Sequence, residues 1–138
     1  MLGGWLSFSG VQAKAGWGRS TFSTVLPVEC LATEDLVESS EGFTVEVLVT
    51  DHPVIQGLPW EKFPPIFGYN EVKEKPEGKV LVRVKETGHP LIVVSEYGKG
   101  RILTYMSDPA PHWGINFELW EGYDAFWQQS LMWVTNKI

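Results

Sequence analysis

Two stretches bring together side chains able to move a proton. In "SDPAPHWG" (107–114), Asp108, His112 and Trp113 follow an apolar run. Pro109 and Pro111 stiffen the loop, so the imidazole of His112 can be held in one place, as a general acid or base must be. The structural alternative is a histidine that caps the next helix or bonds a carbonyl. In "TDHPVIQGLP" (50–59), Asp51 and His52 stand before a proline. An aspartate there more naturally caps the following turn through its side-chain oxygen than it does chemistry. Asp51, His52, Asp108 and His112 are metal-ligand types, but their spacing matches no metal motif. Neither a metal nor a cofactor is expected.

A third candidate is the opening "MLGGWLSFSG". Residues 1–2 read as the end of a buried parallel strand. Gly3 and Gly4 then permit a tight reversal where a Cβ would clash. Elbows of this kind lie at the carboxyl ends of strands, where α/β proteins place ligands. A nucleophile on such a turn stands beside backbone N–H groups able to hold an oxyanion. Here the exposed position carries Trp5, which attacks nothing. Ser7 and Ser9 lack a G-x-S-x-G frame, so they read as ordinary turn serines. Cys30, the one cysteine, sits in apolar "LPVECLA". That setting raises a thiol pKa and suits a buried structural residue.

These groups must be positioned by the elements around them. Residues 7–24 read mostly as loop with one short helical turn. "TVLPVECL" (24–31) is an irregular or edge strand, because Pro27 lies within it. "ATEDLVESSEG" (32–42) is polar and acidic and reads as a solvated loop, whereas "FTVEVLV" (43–49) alternates as a strand does. The segment 50–70 is interrupted by Pro53, Pro59, Pro64 and Pro65. It reads as irregular, with one helical turn over 54–58. "EVKEKPEG" is a charged turn and "KVLVRVKE" (79–86) a strand. Apolar runs on either side of Gly98, Lys99 and Gly100 predict a β-hairpin over 89–108. From Phe117 onward, Trp120, Tyr123, Trp127, Leu131 and Val134 recur at three and four residues, the stripe of a closing helix widened by Phe126 and Trp133.

At 138 residues the chain has the usual length of one domain, large enough to bury a core without staples. Seven Trp and seven Phe point to a dense core, an aromatic-lined pocket or a large interface. A net charge of -6 excludes phosphate-held nucleic acid as a partner. One cysteine rules out an intrachain disulfide and fits a reducing compartment. No apolar run reaches the roughly 18 residues of a membrane span, and no signal peptide is visible, so a cytoplasmic location is expected.

The segments "MLGGWLSFSGVQAKAGWGRSTFSTVLPVECL", "DHPVIQGLPW", "IFGYNEVKEKPEGKVLVRV" and "PLIVVSEYGKGRILTYMSDPAPHWG", with the Trp-rich final helix, carry a family likeness. In this order they resemble the putative glutamine amidotransferase family of the class I glutamine amidotransferase-like superfamily, and more distantly trehalose-utilisation-type proteins. The resemblance implies the C-terminal portion of a flavodoxin-like α/β domain about twice this long, with a β-hairpin and a C-terminal helix. The N-terminal half would precede Met1. Set against the family's Gly-Ile-Cys-x-Gly elbow, "GGWLS" puts Trp5 where the thiol belongs. Set against its His-Pro-Glu, "PHWG" keeps His112 but has no glutamate two residues on. Glutamine hydrolysis by a thioester is therefore not expected. The expected activity is small-molecule binding, or acid–base work by His112 with Asp108. The ligand site would be formed by Gly3, Gly4, Trp5, Ser7 and Trp113. The alternative is an assembly module. Its partner would be a second copy or the missing half, met across open apolar sheet surface.

Overall fold

The hairpin is the centre of the molecule. In the computed structural model, which describes residues 1–5, 7–8 and 16–138, eight strands and two helices follow in order. They are β1 (Val28–Cys30), β2 (Leu36–Phe43), β3 (Val45–Val47), β4 (Ile66–Asn70), β5 (Val72–Glu74), β6 (Lys79–Val84), β7 (Pro90–Tyr97), β8 (Gly100–Tyr105), α1 (Ile115–Glu118) and α2 (Tyr123–Val134). β7 and β8 pair in unbroken register from Ile92 opposite Tyr105 to Tyr97 opposite Gly100. Gly98, at φ 60°, takes the left-handed position that a two-residue hairpin loop reserves for glycine.

The hairpin belongs to an antiparallel sheet ordered β3-β6-β7-β8. On the far side of β8 the chain's first residues add a short parallel bridge, Leu2 to Tyr105. Leu91, Ile92 and Val93 are all fully buried, so β7 is covered on both faces. A period-two strand with one wet face would not show this; a central strand between layers does. β2 with β4, and β1 with β5, form separate two-stranded ladders. The architecture is thus mostly strands in small antiparallel sheets, closed by a C-terminal helix.

Several expectations change. Residues 32–42 are not a solvated loop: most of them form β2, which pairs with β4 and is bulged between Glu38 and Phe43. The polar composition belongs to a strand with one partner and an open side. Its pairing is supplied by β4, four of whose five residues are buried. Residues 50–70 accordingly end in a strand. The expected helical turn at 54–58 is a simple turn, with the Ile55 and Gln56 N–H groups both donating to His52 O. Two 3-10 turns, Trp17–Arg19 and Thr21–Thr24, stand where one helical turn was expected. Ser9 and the rest of 9–15 lie outside the described residues.

The closing helix is two helices. α1 and α2 are separated at 119–122, where the Trp120 ring folds back over Gly122. A Cβ on Gly122 would come within 2.5 Å of Trp120 Cη2. The buried face of α2 is also rotated from the stripe read in the sequence. Phe126, Ser130 and Trp133 point inward, whereas Leu131 is 63% exposed. Nor is the opening strand buried, since Leu2 is 38% exposed. The largest group of ring contacts among the described residues joins Trp60, Phe63, Phe117, Trp120 and Phe126. Among the described residues, no helix is long and apolar enough to cross a membrane.

Candidate functional site

The opening turn is built from backbone. Tyr105 N donates to Met1 O at 3.1 Å and Gly3 N to Tyr105 O at 2.7 Å, which fixes the strand against β8. A Cβ on Gly3 would overlap the Met106 carbonyl, so this approach admits glycine only. Gly4 has φ 140°, and a Cβ there would lie 2.5 Å from Asp108 Oδ1. Both glycines are buried. They bring the turn and the 107–114 loop into contact rather than line a cavity.

Asn70, at the end of β4, holds the turn from beneath. It is fully buried. Its Oδ1 accepts the Gly4 N–H at 2.9 Å, its own N–H donates to Met106 O at 2.8 Å, and its Nδ2 faces Asp35 Oδ1 at 3.4 Å. Ser7 closes the turn, donating its N–H to Gly4 O at 3.0 Å and its hydroxyl to Leu2 O at 3.1 Å. A hydroxyl spent on a carbonyl has no base to activate it, so Ser7 has no nucleophile's geometry.

The 107–114 loop is fastened at both ends. Ser107 Oγ donates to Gly68 O at 2.7 Å, and Phe67 N donates to Trp113 O at 3.1 Å. Tyr123 Oη reaches Pro109 O at 2.7 Å. Asp108 turns inward, its Oδ2 lying 3.3 Å from the Trp113 N–H and 3.4 Å from His112 Nδ1. With that contact at Nδ1, no described residue is hydrogen-bonded to Nε2. His112 has φ 101°, a backbone state that costs a non-glycine residue of order 1–3 kcal/mol. The loop around it overrides this cost.

Trp113 is 1% exposed and forms the floor. Its ring lies on Gly68, which has no side chain to obstruct it: a Cβ there would be 2.5 Å from the indole. The indole Nε1 donates to Glu38 Oε1 at 2.7 Å. Glu38, Ser39 and Ser40 of β2, with Phe67, His112 and Trp113, enclose an open cleft of about 470 Å3. Trp5, 58% exposed, faces His112 with ring centroids 6.2 Å apart.

The structure therefore brings together Gly4, Trp5, Ser7, Asp108, His112 and Trp113, from two segments a hundred residues apart. It does not bring Asp51 and His52 there. His52 packs edge-on against Trp133 at 5.1 Å. The turn-capping role expected of Asp51 falls to His52, whose Nδ1 accepts the Val54 N–H at 3.2 Å. Burial holds the His52 imidazole below its ordinary pKa, and the nearby Lys79 adds to this. Among the described residues no group of His, Cys, Asp and Glu is arranged to hold a metal. Cys30 lies on β1, half-buried, and burial with the nearby Asp35 pushes its thiol pKa up to about 11.

Glu38 and Asn70 were not found from the sequence. Glu38 sits in an acidic run whose pattern is that of a loop. Asn70 ends a buried strand, and a polar residue closing "IFGYN" was its only signal.

A glycine elbow after a short parallel bridge thus faces a histidine loop that leaves the neighbouring strand. The family described as "Putative glutamine amidotransferase" matches residues 1–136, and the chain belongs to it. It is similar to two proteins of known structure. The cytoplasmic protein STM3548 from Salmonella typhimurium is 36% identical, with a TM-score of 0.89 over 97% of this chain and 53% of that one. The cytoplasmic protein STM1381 from Salmonella typhimurium LT2 is 36% identical, with a TM-score of 0.88 over 97% of this chain and 54% of that one. The chain thus spans about half the length of these relatives. No curated protein matches it.

Proposed function

We propose that the cleft between β2 and the 107–114 loop binds a small molecule, and that His112 performs acid–base work on it with Asp108 as its positioning partner. Asp108 takes the Nδ1 side, and Nε2 is left to exchange a proton with a bound group. Trp113 and Phe67 supply apolar surface, and the Glu38 carboxylate supplies a fixed acceptor. The observation that carries the reading is the contact between the elbow and the loop. The Trp5 ring stands 6.2 Å from the His112 ring, and His112 holds φ 101°. Strain of this kind collects where the position of a side chain matters.

The same geometry argues against the thioester route to ammonia. The elbow carries an indole, and the one thiol is on β1 with its pKa raised. The family resemblance also favours a flavodoxin-like α/β frame, and the names of its relatives favour a cytoplasmic setting.

The test is to offer glutamine and measure ammonia, and in parallel to screen small metabolites by the change in tryptophan fluorescence that is lost in Trp5→Phe. We expect no ammonia, and a ligand whose turnover is lost in His112→Ala while its binding is kept. Ammonia release that disappears in Cys30→Ala would overturn the proposal.

A further inference from the structure

A second cavity lies on another surface and shares no residue with the cleft. It measures about 430 Å3, and its walls include His52, Glu77, Lys79, Val94, Glu96 and Trp133. The sheet builds one side. Lys79 stands opposite Val94 in the β6–β7 ladder, and Glu96 opposite Arg101 in the β7–β8 ladder. Alternation along β7 puts Val94 and Glu96 on one face, so Lys79 and Arg101 share it. The end of α2 supplies Trp133 and the turn after β3 supplies His52, their rings edge-on at 5.1 Å.

Three donors here have no partner among the described residues. Trp133 is 7% exposed, yet its Nε1 keeps access to solvent and is bonded to no described residue. A native protein seldom leaves a donor on so buried a side chain unused. His52 Nδ1 accepts the Val54 N–H, so the neutral ring carries its proton on Nε2, which no described residue accepts. Burial, with Lys79 nearby, favours that neutral form. Lys79 itself makes no ion pair among the described residues. Arg101, by contrast, is spent. It donates to Trp133 O at 3.0 Å, lies over the Trp133 ring at 5.2 Å and faces Glu96 at 4.0 Å.

We infer that this cavity binds the carboxylate of a small organic acid through Lys79 Nζ, His52 Nε2–H and Trp133 Nε1–H. The one unpaired cation balances one negative charge and makes the strongest of the three bonds. Val94, 2% exposed, and the Trp133 ring meet the apolar body of the ligand. The carboxylates of Glu77 and Glu96 stand around the same space and repel a second negative charge. A singly charged carboxylate therefore fits better than a phosphate dianion. The inference does not depend on the cleft or its chemistry.

The experiment titrates the isotope-labelled chain with butyrate, and separately with inorganic phosphate. NMR follows the indole N–H of Trp133 and the imidazole of His52, each signal assigned by its loss in Trp133→Phe or His52→Asn. We expect butyrate to move both signals and to raise the His52 pKa, because a bound carboxylate favours the imidazolium form. Phosphate should bind about tenfold more weakly. Lys79 is exposed, so Lys79→Gln leaves the fold intact, and it should weaken butyrate binding about tenfold. Glu77→Gln should narrow the gap between phosphate and butyrate. Butyrate that moves neither signal, or a Lys79→Gln chain that binds it as well as the parent, would overturn the inference. So would phosphate that binds as tightly as butyrate.

Discussion

Gly68→Ala is the substitution that asks most of the proposed site. No backbone obstacle exists, because Gly68 is in a strand and does not have positive φ. The obstacle is the Trp113 ring. The new Cβ would lie 2.5 Å from both Cε2 and Nε1, roughly 1 Å short of ordinary contact. The ring has little freedom to retreat. Its residue is tied through N–H to Asp108, through its carbonyl to Phe67 N, and through Nε1 to Glu38. Overpacking of this size costs about 1–3 kcal/mol. A ring pushed back by about 1 Å also gives up the 2.7 Å bond to Glu38. With the carboxylate partly in water, that loss adds about 1 kcal/mol. Against this, alanine lowers the entropy of the unfolded chain by about 0.5 kcal/mol. The net expectation is a loss of about 2–3 kcal/mol in urea unfolding, and at least a tenfold loss of ligand affinity at the cleft. Gly100→Ala is the control. Its nearest neighbour would be Tyr97 O at 3.5 Å, so stability should stay within about 0.5 kcal/mol. Trp113→Phe frees space above Gly68, so the double mutant with Gly68→Ala should recover about 1 kcal/mol relative to additivity. Unchanged stability in Gly68→Ala, or strictly additive effects in the cycle, would refute the seating of Trp113 as the floor.

His112→Gly should raise stability by about 1 kcal/mol, because glycine relieves the φ of 101° and repays only part of that in its own entropy; it should also abolish acid–base turnover. Denaturant unfolding and activity together check it. The His52 imidazole is held below its ordinary pKa in the folded state, so the unfolded chain takes up its proton first as pH falls. Stability at that site should be complete above the ordinary histidine value of about 6.5 and decline as pH drops through it. His52→Asn, followed by unfolding at several pH values, should flatten that slope. Cys30, with its thiol pushed up to about 11, should react with a thiol reagent at pH 8 at least tenfold more slowly than a free cysteine, and Cys30→Ala should leave turnover at the cleft unchanged.

What the sequence disclosed followed from strong local signals. The hairpin was legible because Gly98 and Lys99 separate two β-branched runs, and the opening turn because two adjacent glycines follow apolar residues. The contact between that turn and His112 was legible only through the family resemblance, since nothing local couples residues a hundred positions apart. β2 was hidden because an edge strand may be polar along most of its length, so "LVESSEGF" has a loop's composition. β4 was hidden because Pro64 and Pro65 stand directly before it. The two-part closing helix turned on where the Trp120 ring lands, which periodicity does not encode. Glu38 reached the cleft only because β2 exists, and its role was lost with that strand.

Asn70 ends as the tie between three distant parts of the chain. One amide side chain grips the start of the polypeptide and faces the carboxylate at position 35, while its backbone is hydrogen-bonded to the end of the strand that leads into the histidine loop. Swinging the elbow aside to admit a ligand from beneath would mean breaking into sealed interior. The imidazole of His112, with 56% of its side chain exposed, is instead open from the outer face, beside Trp5 and the serines of β2.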